Sequence, residues 1–197
     1  MTQTANSLHI IKAQSTIVKN SLYVICGSVF LVLFSQISIP LPFTPVPQTM
    51  QTLAVFLLGA SLGSRLGTLS VLTYLAEGTM GLPVFAGGAS NPLWFCSTSA
   101  GFLMGFVFAA YCIGKIIEKR PYMGIWSLIA TITLGQAIIS CAGTLWLSFF
   151  VGLIPAFMMG TLPFLGGAFC KVVSAALLIR GIVLGKQTIL DGSHVLR

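Results

Sequence analysis

Between Tyr122 and Ile154 the chain runs 33 residues without a charged side chain. As a helix, at about 1.5 Å per residue, that is roughly 50 Å, too long for one bilayer and too short for two spans with a turn. The surplus is expected to project into the interface or an outer loop. Other tracts repeat the pattern. Ser21 to Ile39 holds 19 uncharged residues, and Thr49 to Gly81 is a largely apolar tract of 33 residues, interrupted by Gly63, Arg65 and Gly67. Ser97 to Gly114 ends in the cluster Lys115, Glu118, Lys119 and Arg120, and Leu162 to Leu184 carries Lys171 inside it and Arg180 near its end. Charged residues make up 7% of the chain, against roughly a quarter in soluble domains. Ten basic and three acidic side chains cannot clothe a soluble globule of 197 residues, so lipid is the solvent for most of it. The 56% apolar content also excludes a disordered or collagen-like chain. The five cysteines form no CxxC pair and read as small apolar residues rather than as a disulfide or metal set.

Charge placement orients the spans. The first apolar run is long for a signal peptide and no A-x-A site follows it, so it reads as an uncleaved span. Two short helices between Thr49 and Gly81, turning at Arg65, place Lys12, Lys19, Arg65, Lys115, Lys119, Arg120, Arg180, Lys186 and Arg197 on one side. The opposite loops, 40–48, 78–96 and 151–161, contain no Lys or Arg. The expected fold is an all-α membrane protein of six transmembrane helices with both termini cytoplasmic. Residues 1–20 form a cytoplasmic segment, 21–186 one membrane domain and 187–197 a cytoplasmic tail. The +7 net charge is thus a topology signal, and no nucleic-acid partner is expected.

Two outward stretches stand out. Ile39 to Pro47 holds four prolines and is expected to be extended or polyproline-like. Gly78 to Gly88 is glycine-rich and embeds Phe85, with Gly87 and Gly88 at its end and Asn91, Trp94 and Phe95 following. Irregular backbone at membrane depth is tolerated where it lines a cavity, so a glycine-rich loop carrying Phe85 and Trp94 suits the cap of a pocket for a ring-bearing ligand. Lys171, about ten residues from either end of its span, has no acid within a helical turn, which invites an anionic ligand as its partner. The small-xxx-small pairs Gly59/Gly63, Gly63/Gly67, Gly101/Gly105 and Gly181/Gly185 favour close helix packing. No HExxH, G-x-S-x-G or P-loop is present, and His9 and His194 lie in the polar ends. No catalysis, metal or cofactor is expected, and uphill transport would need energy supplied by another protein.

The run Pro45-Val46-Pro47-Gln48-Thr49-Met50-Gln51-Thr52-Leu53-Ala54-Val55, then Leu58 to Gly67, then Tyr74-Leu75 through Pro83-Val84-Phe85-Ala86-Gly87-Gly88, resembles the BioY family. The likeness continues through Gly101 to Phe106, Trp146-Leu147 and Leu162 to Leu165 up to Lys171, covering about residues 37–180. It implies the biotin-binding S component of an energy-coupling factor (ECF) transporter in a bacterial cytoplasmic membrane. The implied architecture has six helices, and the implied partners are ATPase subunits and a transmembrane T subunit, or other copies of the chain. The implied biotin-contacting residues are Lys171, Phe85, Gly87, Gly88, Asn91, Trp94, Gln51, Tyr74 and Trp146. The sequence departs from the family where an Asp usually stands three residues before the Lys; here that position is Ala168, which removes an acceptor for the ureido N–H groups or a partner that holds Lys171. Competing expectations are an S component for riboflavin or thiamine, and a membrane scaffold or channel without transport. A lipid-directed enzyme would need acids or histidines clustered at one membrane depth, which the sequence lacks.

Overall fold

The computed structural model describes residues 2–195, with side chains described for residues 16–182. Expectations attached to Met1 and Arg197, and to the side chains of His9, Lys12, Lys186, Asp191 and His194, lie outside the described residues. Six helices account for most of the chain: α1 (Thr2–Gln36), α2 (Gln51–Thr79), α3 (Ala100–Lys119), α4 (Ile125–Val151), α5 (Leu153–Gly160) and α6 (Leu165–Val195). Between α1 and α2 the short strands β1 (Ser38–Ile39) and β2 (Gln48–Thr49) pair antiparallel, Ser38 opposite Thr49. The proline-rich segment therefore closes on itself as a hairpin and does not run extended, with Thr44 N–H donating to the Leu41 carbonyl at 3.3 Å.

Among the described residues five helical stretches are long and apolar enough to cross a membrane: Thr16–Gln36, Gln51–Thr79, Ala100–Lys119, Ile125–Val151 and Leu153–Ile182. Six were expected, and α2 is where the count differs. Gly63 sits inside α2 at φ 79°, ψ −178°, backbone that only glycine adopts freely. Past it the chain doubles back. A side chain at Gly67 would lie 2.9 Å from the Leu58 carbonyl, although nine residues of straight helix span about 13 Å. Gln51 at one end likewise hydrogen-bonds the Tyr74 hydroxyl near the other. So α2 is a helical hairpin, and its turn falls at Gly63, two residues before Arg65. A positive φ decides the turn, where the sequence reading had used the charge. Glu118 fastens it, its carboxylate accepting Ser64 N–H at 2.7 Å and the Ser64 hydroxyl at 2.9 Å, which satisfies a donor freed by the break.

The same close approach recurs where α2 meets α3, since a side chain at Gly59 would meet the Ala110 carbonyl at 2.7 Å. Gly181 faces nothing within 4 Å. Leu31, Phe56, Val71, Tyr74, Ile113 and Ile132 are fully buried between α1, α2, α3 and α4. Ile17, Leu22, Val29 and Leu33 on α1 and Trp126 and Phe149 on α4 are exposed, the outward apolar surface that suits a lipid surround. The Tyr122–Ile154 tract does not stay one helix to its end, since α4 closes at Val151. The chain reverses at Gly152 (φ 85°), and α5 returns along the end of α4, where the Thr144 and Thr161 hydroxyls meet at 2.6 Å.

Candidate functional site

The loops converge on one end of the bundle. Ser35, near the end of α1, donates to the Val84 carbonyl at 2.7 Å. Trp146, near the end of α4, donates from Nε1 to the Ser97 carbonyl at 2.9 Å. Val46 of the proline-rich hairpin is buried with Leu147 and Ala156. The basic cluster lies at the other end of the bundle, with Arg65 beside the α2 turn, Lys115, Lys119 and Arg120 at the close of α3, and Arg180 donating to the Met123 carbonyl at 3.1 Å. Beneath the loops is a cavity of about 230 Å³, a size suited to a compact molecule.

Its cover is built from the glycine-rich loop. Gly87 and Gly88 both take positive φ, 66° and 78°, which curls the chain so that Phe85 N–H reaches the Ala89 carbonyl at 3.1 Å and Gly88 N–H returns to Phe85 at 2.9 Å. The two glycines face away from the cavity, and side chains there would approach Ser38 Oγ at 3.2 Å and Gln36 Oε1 at 3.3 Å. Their curl instead turns Phe85 and Ala86 onto the cavity wall. Phe85 stands edge-on to Tyr74 at 5.6 Å and tilted against Trp94 at 6.3 Å, an arrangement that favours edge-to-face aromatic contact. Trp94, also on the wall, is held by its Nε1–H bond to Thr79 Oγ1 at 2.9 Å.

Lys171 stands six residues into α6, which begins at Leu165. That is about two turns from the start of the helix and well inside the apolar stretch Leu153–Ile182. Its ammonium turns into the helix bundle. It lines the cavity and donates to the Thr49 carbonyl at 2.5 Å, and its partner among the described residues is a carbonyl and not a carboxylate. Gln51 lines the same wall with its amide fixed at both ends, accepting from the Thr49 hydroxyl at 3.0 Å and donating to Tyr74. Asn91 also reaches the cavity, and its Oδ1 accepts Leu93 N–H at 3.1 Å.

Five of the nine sequence candidates, Lys171, Phe85, Asn91, Trp94 and Gln51, therefore meet on one cavity, and four do not line it. Gly87 and Gly88 shape the cover from behind. Tyr74 is fully buried one layer back, bracing Gln51 and Phe85. Trp146 packs on Phe149 and Phe150 outside the lining. The sequence reading had missed several polar wall residues, among them Thr52, Ser99, Gln136 and Ser140. Gln136 had a signal available as the one amide in an uncharged 33-residue tract, and its Nε2 donates to Ser140 Oγ at 3.1 Å, one turn on. The wall is otherwise apolar, with Phe102, Leu103, Phe106 and Ile139 forming its depth and Ala168 one turn before Lys171.

A family model described as the BioY family matches residues 2–186. The chain is 35% identical over 155 residues to the biotin transporter BioY of Rhizobium etli, covering 75% of this chain and 83% of the relative. It is 38% identical over 141 residues to the biotin transporter BioY of Thermotoga maritima, covering 71% and 82%. Its fold is similar to the crystal structure, at 2.1 Å, of the S-component for biotin from an ECF-type ABC transporter. The TM-score is 0.78 at 26% identity, over 85% of this chain and 92% of that one.

Proposed function

The chain belongs to the BioY family, and from that premise we propose that it is the membrane subunit that captures biotin in the loop-covered cavity and delivers it inward. It is a transport subunit and not an enzyme. The observation that carries this reading is the Lys171 ammonium, which opens into a largely apolar cavity with a backbone carbonyl as its partner. A cation so placed is costly unless a ligand completes its shell. Phe85 and Trp94 give the bicyclic ring of biotin an aromatic cover, and Lys171, Gln51 and Asn91 supply its polar contacts. Tyr74, Gly87 and Gly88 hold that wall in place, and Trp146 fixes the adjoining helix end. Separate ATPase subunits and a transmembrane T subunit energise the cycle, with association of several copies as the alternative assembly.

The chain crosses a bacterial cytoplasmic membrane six times with both ends inside. The fold of α2 at Gly63 and the basic residues gathered opposite the loops support that reading. Single cysteines in an otherwise cysteine-free protein test topology and site together. Arg65→Cys is expected to resist an impermeant thiol reagent applied to intact cells. Ala89→Cys, exposed on the cavity rim, is expected to react and to react more slowly with biotin present. Labelling of Arg65→Cys from outside would overturn the topology. Biotin-independent labelling of Ala89→Cys in a protein that binds biotin would overturn the site.

A further inference from the structure

Serine and threonine side chains in helices ordinarily return their hydroxyl to the carbonyl one turn back. On α2, Thr68, Ser70 and Thr79 do so, donating to Ser64, Leu66 and Leu75 at 2.6–2.9 Å. Thr52 does not. Its Oγ1 is buried and is the side-chain atom of that kind left without a hydrogen-bond partner among the described residues, and the residue lines the cavity. The local fold explains the exception. Thr52 lies in the first turn of α2, so the residue four back, Gln48, is still in β2 and outside the helix. The residue three back is Thr49, whose carbonyl already accepts the Lys171 ammonium at 2.5 Å. Several other polar groups of the wall have protein partners: Gln51 with Thr49 and Tyr74, Asn91 with Leu93, Gln136 with Ser140, Trp94 with Thr79.

We propose that Thr52 contacts the ligand, its hydroxyl donating to an oxygen at the same end of the bound molecule that the Lys171 ammonium meets. A buried hydroxyl left unpaired is destabilising, and the cavity is where its partner can enter. Both residues line the same cavity, Lys171 from α6 with its ammonium on the Thr49 carbonyl and Thr52 from the first turn of α2, three residues after Thr49. This corner is rich in donors, and Ala168, one turn before Lys171 on the same wall, adds no acceptor. It therefore suits an acceptor oxygen, carboxylate or urea, and not an N–H group. This inference rests on the reading of the cavity as the biotin site.

The test compares Thr52→Val, which keeps the branched shape and removes the hydroxyl, with Thr52→Ser, which keeps the hydroxyl. Biotin affinity and the melting temperature of the empty protein are measured in detergent. A ligand contact predicts that Thr52→Val binds biotin roughly tenfold more weakly while the empty protein melts no lower. It also predicts that Thr52→Ser stays within about threefold of the wild type. A structural role predicts the opposite, a lower melting temperature with affinity preserved, and that result overturns the proposal. Affinity of Thr52→Val within twofold of wild type also overturns it and leaves the biotin reading standing. A wild-type protein that fails to bind biotin overturns both. Repeating the comparison with a biotin analogue whose side chain ends in a methyl group assigns the oxygen. A loss that vanishes with this analogue places Thr52 on the carboxylate, and a loss that persists places it on the urea oxygen.

Discussion

Lys171→Met weakens biotin binding by about ten- to a hundredfold, while the empty protein stays folded and melts no lower than the wild type. A hydrogen bond from an ammonium to a ligand oxygen inside a water-poor cavity contributes about 1.5–3 kcal/mol, which gives that range. Stability moves the other way because the substitution removes a charge from the membrane-embedded part of α6, where its partner is the Thr49 carbonyl. The lost bond to that carbonyl is of the order of 1 kcal/mol, and relief from desolvating the ammonium offsets it. Methionine preserves length and apolar packing, so the cavity keeps its shape. A lysine with only an anchoring role makes a different forecast: affinity within twofold and a clear loss of melting temperature. The analogue whose side chain ends in a methyl group separates the contact modes here too. Its equal binding by wild type and mutant assigns Lys171 to the carboxylate, and a persisting deficit assigns it to the ring.

Replacing Gly87 and Gly88 together with Val lowers biotin affinity by at least tenfold without preventing membrane insertion. Both positions hold positive φ, 66° and 78°, and placing a non-glycine residue in that region costs about 1–2 kcal/mol each, more for a β-branched one. New side chains would also press on Ser38 and Gln36 behind the loop. The loop relieves this by uncurling, which breaks the Phe85–Ala89 hydrogen bond and takes Phe85 off the cavity wall. The spans are untouched, so expression in the membrane fraction is unchanged, and the effect appears in the binding titration. Wild-type affinity in the double variant would remove these glycines from any part in the cover.

What the sequence made legible follows from how rare each signal is against its background. A lysine in an apolar tract has few explanations, so Lys171 stands out. Glycines beside aromatics in a loop pointed to Phe85 and Trp94 for the same reason. The turn in α2 was expected from the right tract but at the wrong residue, because Arg65 is conspicuous and the φ requirement at Gly63 is not. Tyr74 and Trp146 were placed at the site because composition cannot separate the layer that lines a cavity from the layer that braces it. Thr52, Gln136 and Ser140 escaped notice because a single hydroxyl or amide in a membrane helix normally satisfies itself locally. Only the three-dimensional accounting of partners shows that Thr52 does not.

Equilibrium titration of the detergent-purified wild-type protein with biotin, riboflavin and thiamine, read by tryptophan fluorescence or calorimetry, tests the central claim most directly. The account predicts saturable binding of biotin at one site per chain, with a fluorescence change from Trp94 on the cavity wall, and no saturation by the other two vitamins over the same concentrations. Absence of biotin binding by folded protein, or binding of riboflavin or thiamine as tight as that of biotin, would contradict it.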